Sequence, residues 1–161
     1  MTTQQEKLTA VKDKLITFLT HPIGLLLMVG ILVYGVFVPL LGFFWDDMGL
    51  AWNAEVYGVE GLARYFETKR PVWAWFYQLS TLLLGKEPWQ WQLFGIFWRW
   101  VCASGFYLLV RQLWPTTKEP ALYASFFFLL YPGFEQQYIS LVYGHFFLVY
   151  SAYLFSVILS I

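Results

Sequence analysis

Two adjacent acids stand at the end of a long apolar run. In "GFFWDDMGLAWN", Gly42 to Asn53, Asp46 and Asp47 follow a stretch from Pro22 to Trp45 that carries no charged residue. Neighbouring carboxylates repel each other's charge, so one of them holds its proton above the ordinary range, which suits a general base. An oxygen-only pair also suits Mg²⁺ or Mn²⁺, so a divalent cation, if the protein takes one, is expected at Asp46 and Asp47. The same two residues admit a plainer role as an interfacial pair that caps the next helix, because Asp favours N-cap positions.

Lys69 and Arg70 come directly before Pro71. Pro is a good first residue of a helix, and a helix N-terminus repels cations. That mismatch invites an anion, with the backbone N–H groups and both side chains sharing one phosphate. The plainer role is a snorkelling pair on lipid headgroups. A third group lies in "YPGFEQQYIS", where Glu135 stands beside Gln136 and Gln137. These amides could hydrogen-bond a sugar or a headgroup, or simply cap a loop between two spans. His145 follows in "YGHFF", as a ligand or as a satisfied interior residue. Arg99, between Trp98 and Trp100, must face protein, water or a buried acid, and a helix-packing role is its default. Cys102 is the lone cysteine, which allows no internal disulfide or thiolate metal site and reads as a small buried hydrophobe.

The elements that carry these groups are membrane elements. The chain has 161 residues, of which 12% are charged and 59% hydrophobic. Soluble domains carry about 25% charged residues, so this composition describes an all-α integral membrane protein. The zero formal net charge leaves no basic excess for nucleic acid. The first twenty or so residues are polar, and the apolar run behind them is too long for a signal-peptide core. Residues 1–21 are expected to be a cytoplasmic segment and 22–161 a membrane domain.

About four spans are expected, at roughly 22–45, 89–113, 119–132 and 138–161, with the third short of residues. Lys7, Lys12 and Lys14 before the first span place the N-terminus in the cytoplasm. Asp46 and Asp47 then emerge outside. The loop 46–86 is expected to hold two surface helices. The first is an amphipathic stretch over 47–70, where apolar residues recur at roughly helical spacing between charges. The second runs from Pro71 to Gly85, about 21 Å at 1.5 Å per residue. That is short for a bilayer, and Trp73, Trp75 and Tyr77 are interfacial types. With this helix flat, Arg111 and Lys118 fall on the cytoplasmic side.

The order of these pieces resembles the N-terminal part of the GT-C fold glycosyltransferases, membrane enzymes that use polyprenyl-phosphate-linked sugars and include protein mannosyltransferases and lipid A aminoarabinose transferases. "FFWDDMGLAWNAEVYG" resembles the family's first outer loop with its acidic motif. "KRPVWAWFYQLSTLLLG" resembles its segment of basic residue, Pro, aromatic-rich helix and Leu-Gly close. "YPGFEQQ" resembles its outer-face Pro motif. The resemblance covers most of the chain from residue 22 onward. It implies a transferase working on the outer face of a prokaryotic cytoplasmic membrane, with Asp46 as base or acceptor-orienting acid and Asp47 as the acid beside it. Lys69 and Arg70 would lie near the donor phosphate, and no organic cofactor is required. Its partners would be membrane lipid and a polyprenyl-phosphate-linked sugar, with a protein partner or a further C-terminal portion to complete it. The competing expectation is a non-catalytic accessory subunit or lipid-binding scaffold. The two differ in whether the acids, the cations and Glu135 converge on one outward pocket.

Overall fold

The structure is a computed structural model that describes residues 2–131 and 134–161. Among these residues all regular structure is helical. The order is α1 (Thr2–Thr20), α2 (Pro22–Tyr34) continued by a 3₁₀ stretch (Gly35–Leu40), α3 (Asp46–Tyr57), α4 (Val59–Phe66), α5 (Pro71–Leu84), α6 (Pro88–Leu113), α7 (Lys118–Leu129) and α8 (Ser140–Ser160). Three of these segments are long and apolar enough to cross a membrane: Pro22–Leu40, Pro88–Leu113 and Ser140–Ser160.

The differences from the sequence reading have local causes. The segment expected to be merely polar before Pro22 is the helix α1. It ends at His21, whose Nδ1 accepts from the Ile23 N–H at 3.3 Å and so caps α2. The first span tightens to 3₁₀ geometry after Tyr34 and stops at Leu40, not Trp45. Pro39 lies in that stretch and has no N–H to continue an α-helical ladder. The single amphipathic helix expected over 47–70 is two helices. Gly58, at φ 67° and ψ −168°, breaks it, a conformation open essentially to glycine. The loop 46–86 therefore carries three short helices. The segment expected at 119–132 is only the 12 residues of α7, about 18 Å long, and does not reach across a bilayer core by itself.

Small residues let α6 and α8 pack closely, as membrane helices commonly do. A Cβ on Gly95 would lie 3.6 Å from Ser140, one on Gly144 would strike Phe94, and one on Gly105 would touch Leu154. Leu26, Ala103, Tyr107, Ala121 and Leu129 form one apolar cluster joining α2, α6 and α7. A second cluster joins α3, α4 and α5 to the start of α6 and α8 through Leu50, Leu62, Phe66, Tyr77, Trp91 and Leu141. The helix α5 packs against α4, and an ion pair just beyond its end reaches α3. Phe66 stacks on Tyr77 at 4.9 Å, Gln78 Nε2 donates to the Val59 carbonyl at 3.2 Å, and just beyond α5 Lys86 pairs with Glu55 at 3.1 Å.

Candidate functional site

The two acids part company at the start of α3. Asp46 is exposed and makes no ion pair among the described residues. Asp47 is fully buried. Its two oxygens accept from the first turn of α8: Oδ2 from the Leu141 N–H at 2.9 Å and Oδ1 from the Val142 N–H at 3.0 Å. A helix N-terminus leaves such donors unpaired and carries partial positive charge. Asp47 therefore caps a helix, but α8 rather than its own. Burial, the largest influence, pushes its carboxyl up to about 6; the α8 N–H groups pull it back and the charge of Asp46 raises it further.

The turn that aims these acids is strained. Trp45 takes φ 50° and ψ −122°, a conformation that bulky residues avoid. Gly42 and Tyr138, from the two flanking loops, are drawn together by buried Gln92. Its Nε2 donates to the Tyr138 carbonyl at 2.9 Å and reaches the Gly42 carbonyl at 3.4 Å.

Lys69 and Arg70 are exposed between α4 and α5. Tyr77 is buried on α5 and stacks on Phe66. Its phenol is raised by burial first and then by the negative charge of Asp47, while Arg70 opposes the rise and Asp46 adds to it. Among the described residues no hydrogen bond or ion pair joins Asp46, Lys69, Arg70 and Glu135, and none of them lines a described cavity, so the structure does not bring these groups into one pocket. Glu135 and Gln136 are exposed on the loop before α8, and Gln137 is half-buried and turned inward. The Pro132–Gly133 portion of "YPGFEQQ" lies outside the described residues.

His145 is fully buried and boxed by Tyr77, Phe94, Trp91 and Trp73, with ring centroids at 4.3, 5.2, 5.9 and 6.3 Å. A carbonyl can only accept, so Nδ1 donates to Leu141 O at 2.6 Å. Nε2 then meets the Ser80 hydroxyl at 2.9 Å. His145 fastens α8 to α5.

Arg99 is 1% exposed. Its Nε donates to the Leu129 carbonyl at 2.7 Å, and Nη1 donates to Gln137 Oε1. Tyr34 Oη donates to the same Leu129 carbonyl at 3.0 Å. A cation at the C-terminus of α7 is the favourable match to the helix dipole. The guanidinium also lies over the rings of Tyr34, Phe134 and Phe147, at 4.5, 4.9 and 5.4 Å.

Sequence reasoning missed Tyr77, Ser80 and Gln92. Ser80 and Gln92 are polar breaks in apolar helical segments, and burial of such groups demands partners; that signal names the need without naming the partner. Among the described residues no group of three His, Cys, Asp or Glu side chains comes together to hold a metal. No protein-family model, curated protein or solved structure matches this chain.

Proposed function

We infer that this chain works as the N-terminal part of a GT-C-like membrane glycosyltransferase, moving a sugar from a polyprenyl-phosphate carrier to an acceptor at the outer face. The observation that carries this reading is the division of labour between the two acids. Asp47 is locked into α8, and Asp46 beside it is exposed and without an ion pair among the described residues. Asp46 takes the proton of the attacking hydroxyl or amine. Arg70 and Lys69 stabilise the departing phosphate, which needs no protein nucleophile. Strain at Trp45, immediately before the acids, fits a residue pair that must be aimed rather than merely solvated.

In this reading the chain crosses the membrane four times. α7 and the loop after it supply the short third crossing, and α3, α4 and α5 lie on the outer surface. Val72, Trp75, Leu79, Leu82 and Leu83 form the exposed stripe of α5, a face suited to the outer leaflet. The N-terminus is cytoplasmic, and Glu135, Gln136 and Gln137 lie at the outer loop where a sugar or headgroup would approach.

The test is transfer from radiolabelled polyprenyl-phosphate sugars in membranes holding the wild-type chain or Asp46→Asn. Loss of transfer of at least a hundredfold with normal membrane insertion is expected, the scale on which a general base acts. Full transfer in the variant removes Asp46 from the chemistry. A second reading, a non-catalytic lipid-binding scaffold, draws on the capping roles of Asp47 and Arg99, since both buried charges hold helix ends. Native membranes, which hold any completing partner, that transfer no more sugar with the wild-type chain than with Asp46→Asn would decide for it.

A further inference from the structure

A groove of about 730 Å³ runs between α6, α7 and α8. Its walls are mostly aromatic, with Phe106, Phe128, Phe134, Phe147 and Tyr150 among them, and Arg99 is its one charged residue. Arg99 has dipoles and ring faces around it but, among the described residues, no carboxylate within ion-pair distance. Its Nη2 donates to no described acceptor. A buried cation without an anion is costly. The groove supplies the route for one, because α6 and α8 are both apolar enough to cross a membrane and the exposed rings of Phe127, Tyr150 and Tyr153 border it on the outside.

We propose that this groove holds a bilayer phospholipid with an anionic headgroup, its acyl chain along the aromatic wall and its phosphate against Arg99. Charge complementarity selects this occupant. A purely apolar helix would fill the wall and leave Arg99 uncompensated, and a zwitterionic lipid would bring its own headgroup cation to compete with Arg99 for its phosphate. The site is built on α6, α7 and α8, apart from the Asp46 end of α3, and does not rest on the transferase reading.

The experiment reconstitutes the full chain in nanodiscs containing photoreactive phosphatidylglycerol or photoreactive phosphatidylcholine at equal mole fraction. Adducts are mapped by mass spectrometry. Phosphatidylglycerol is expected to label the Tyr143–Tyr153 stretch about fivefold more than phosphatidylcholine, the weight of one cation toward an anionic lipid. Arg99→Gln is expected to erase that preference while leaving phosphatidylcholine labelling unchanged. Because Arg99 also caps α7, Tyr150→Ala tests the wall with the cap intact, and a threefold or larger fall in phosphatidylglycerol labelling is expected. Equal labelling of the wild type by both lipids overturns the proposal. So do adducts confined to other helices, and so does a cross-linked second copy in place of lipid.

Discussion

Asp47 and Leu141 stand 94 positions apart in the chain and meet at 2.9 Å, carboxylate oxygen to backbone N–H. That bond and its neighbour to Val142 make the 46–86 loop and α8 one unit. Hydrogen bonds to a charged group are worth roughly 1.5–3 kcal/mol each, and unpaired buried donors cost a similar amount. Asp47→Ala is expected to destabilise the protein by about 2 kcal/mol or more, read as thermal unfolding in detergent. Asp46→Asn, at an exposed position without an ion pair, is expected to change stability by less than about 0.5 kcal/mol. Equal losses from the two variants would mean that the cap contributes nothing particular.

Asp47 also sets a pH dependence. Its carboxyl is pushed from the ordinary 3.8 up to about 6, burial being the main cause. The folded state therefore binds this proton more tightly than the unfolded chain. Between about pH 4 and 6 the folded state holds more protons, so this contribution is fully present below about pH 4 and is lost as pH rises through 6. A shift of this size corresponds to about 3 kcal/mol. Acidifying from about pH 7 to 5 is expected to raise the unfolding temperature of the wild type more than that of Asp47→Asn, which has no proton to gain. Parallel pH profiles would refute the assignment.

Trp45 offers a separable test of strain. Its backbone conformation costs roughly 1–3 kcal/mol for a non-glycine residue, and its side chain is mostly exposed, so little packing is lost on truncation. Glycine removes the strain and gives back somewhat less through the entropy of the unfolded chain. Trp45→Gly is expected to stabilise the fold by about 1 kcal/mol and to lower sugar transfer, because the turn that aims Asp46 loosens. Destabilisation would show that the Trp45 ring holds the turn by contacts rather than the turn straining Trp45.

The composition and the apolar runs made the membrane class and the three long helices legible, because an element that must bury its backbone polar groups in lipid has few alternatives. Positions of helix breaks were less legible. Gly58 splits α3 from α4, yet a glycine inside a helical pattern is often tolerated. Asp47 was legible as a helix cap, but not as the cap of α8, since a partner 94 positions away leaves no periodic trace. Arg99 was legible as a buried helix-packing cation. Its partner, the end of α7 at Leu129, is a backbone carbonyl, which no side-chain pattern marks.

The α6–α8 contact predicts a contrast between two glycines. A Cβ on Gly144 would lie 2.7 Å from the Phe94 ring and 3.4 Å from the Gly95 backbone. Phe94 is itself held between Trp91, Trp98 and His145, so it has little room to give. Gly144→Ala is expected to cost about 1–3 kcal/mol, the usual scale of overpacking. A Cβ on Gly105 would lie 3.6 Å from Leu154, an ordinary contact, and Gly105→Ala is expected to be neutral or slightly stabilising. Unfolding temperatures of the two variants decide the matter, and equal effects would refute the close approach at Gly144.

The orientation of α5 governs the topology of every later helix. It packs on α4 through Tyr77 on Phe66 and Gln78 on Val59, and Lys86 just beyond it pairs with Glu55; α3 and α4 carry Asp46, Glu55, Glu60 and Arg64 on exposed positions. Helices so charged stay out of the hydrocarbon core, and a helix packed on α4 through Tyr77 and Gln78 stays with it. Cysteines placed at Lys69 and Lys86, in a chain with Cys102→Ser, are therefore expected to react with a membrane-impermeant maleimide from the same side. A cysteine at Lys118, beyond α6, is expected to react from the opposite side. Labelling of Lys69→Cys and Lys86→Cys from opposite sides would mean that α5 crosses the membrane. That result would reverse α6, α7 and α8 and place Arg111 and Lys118 outside.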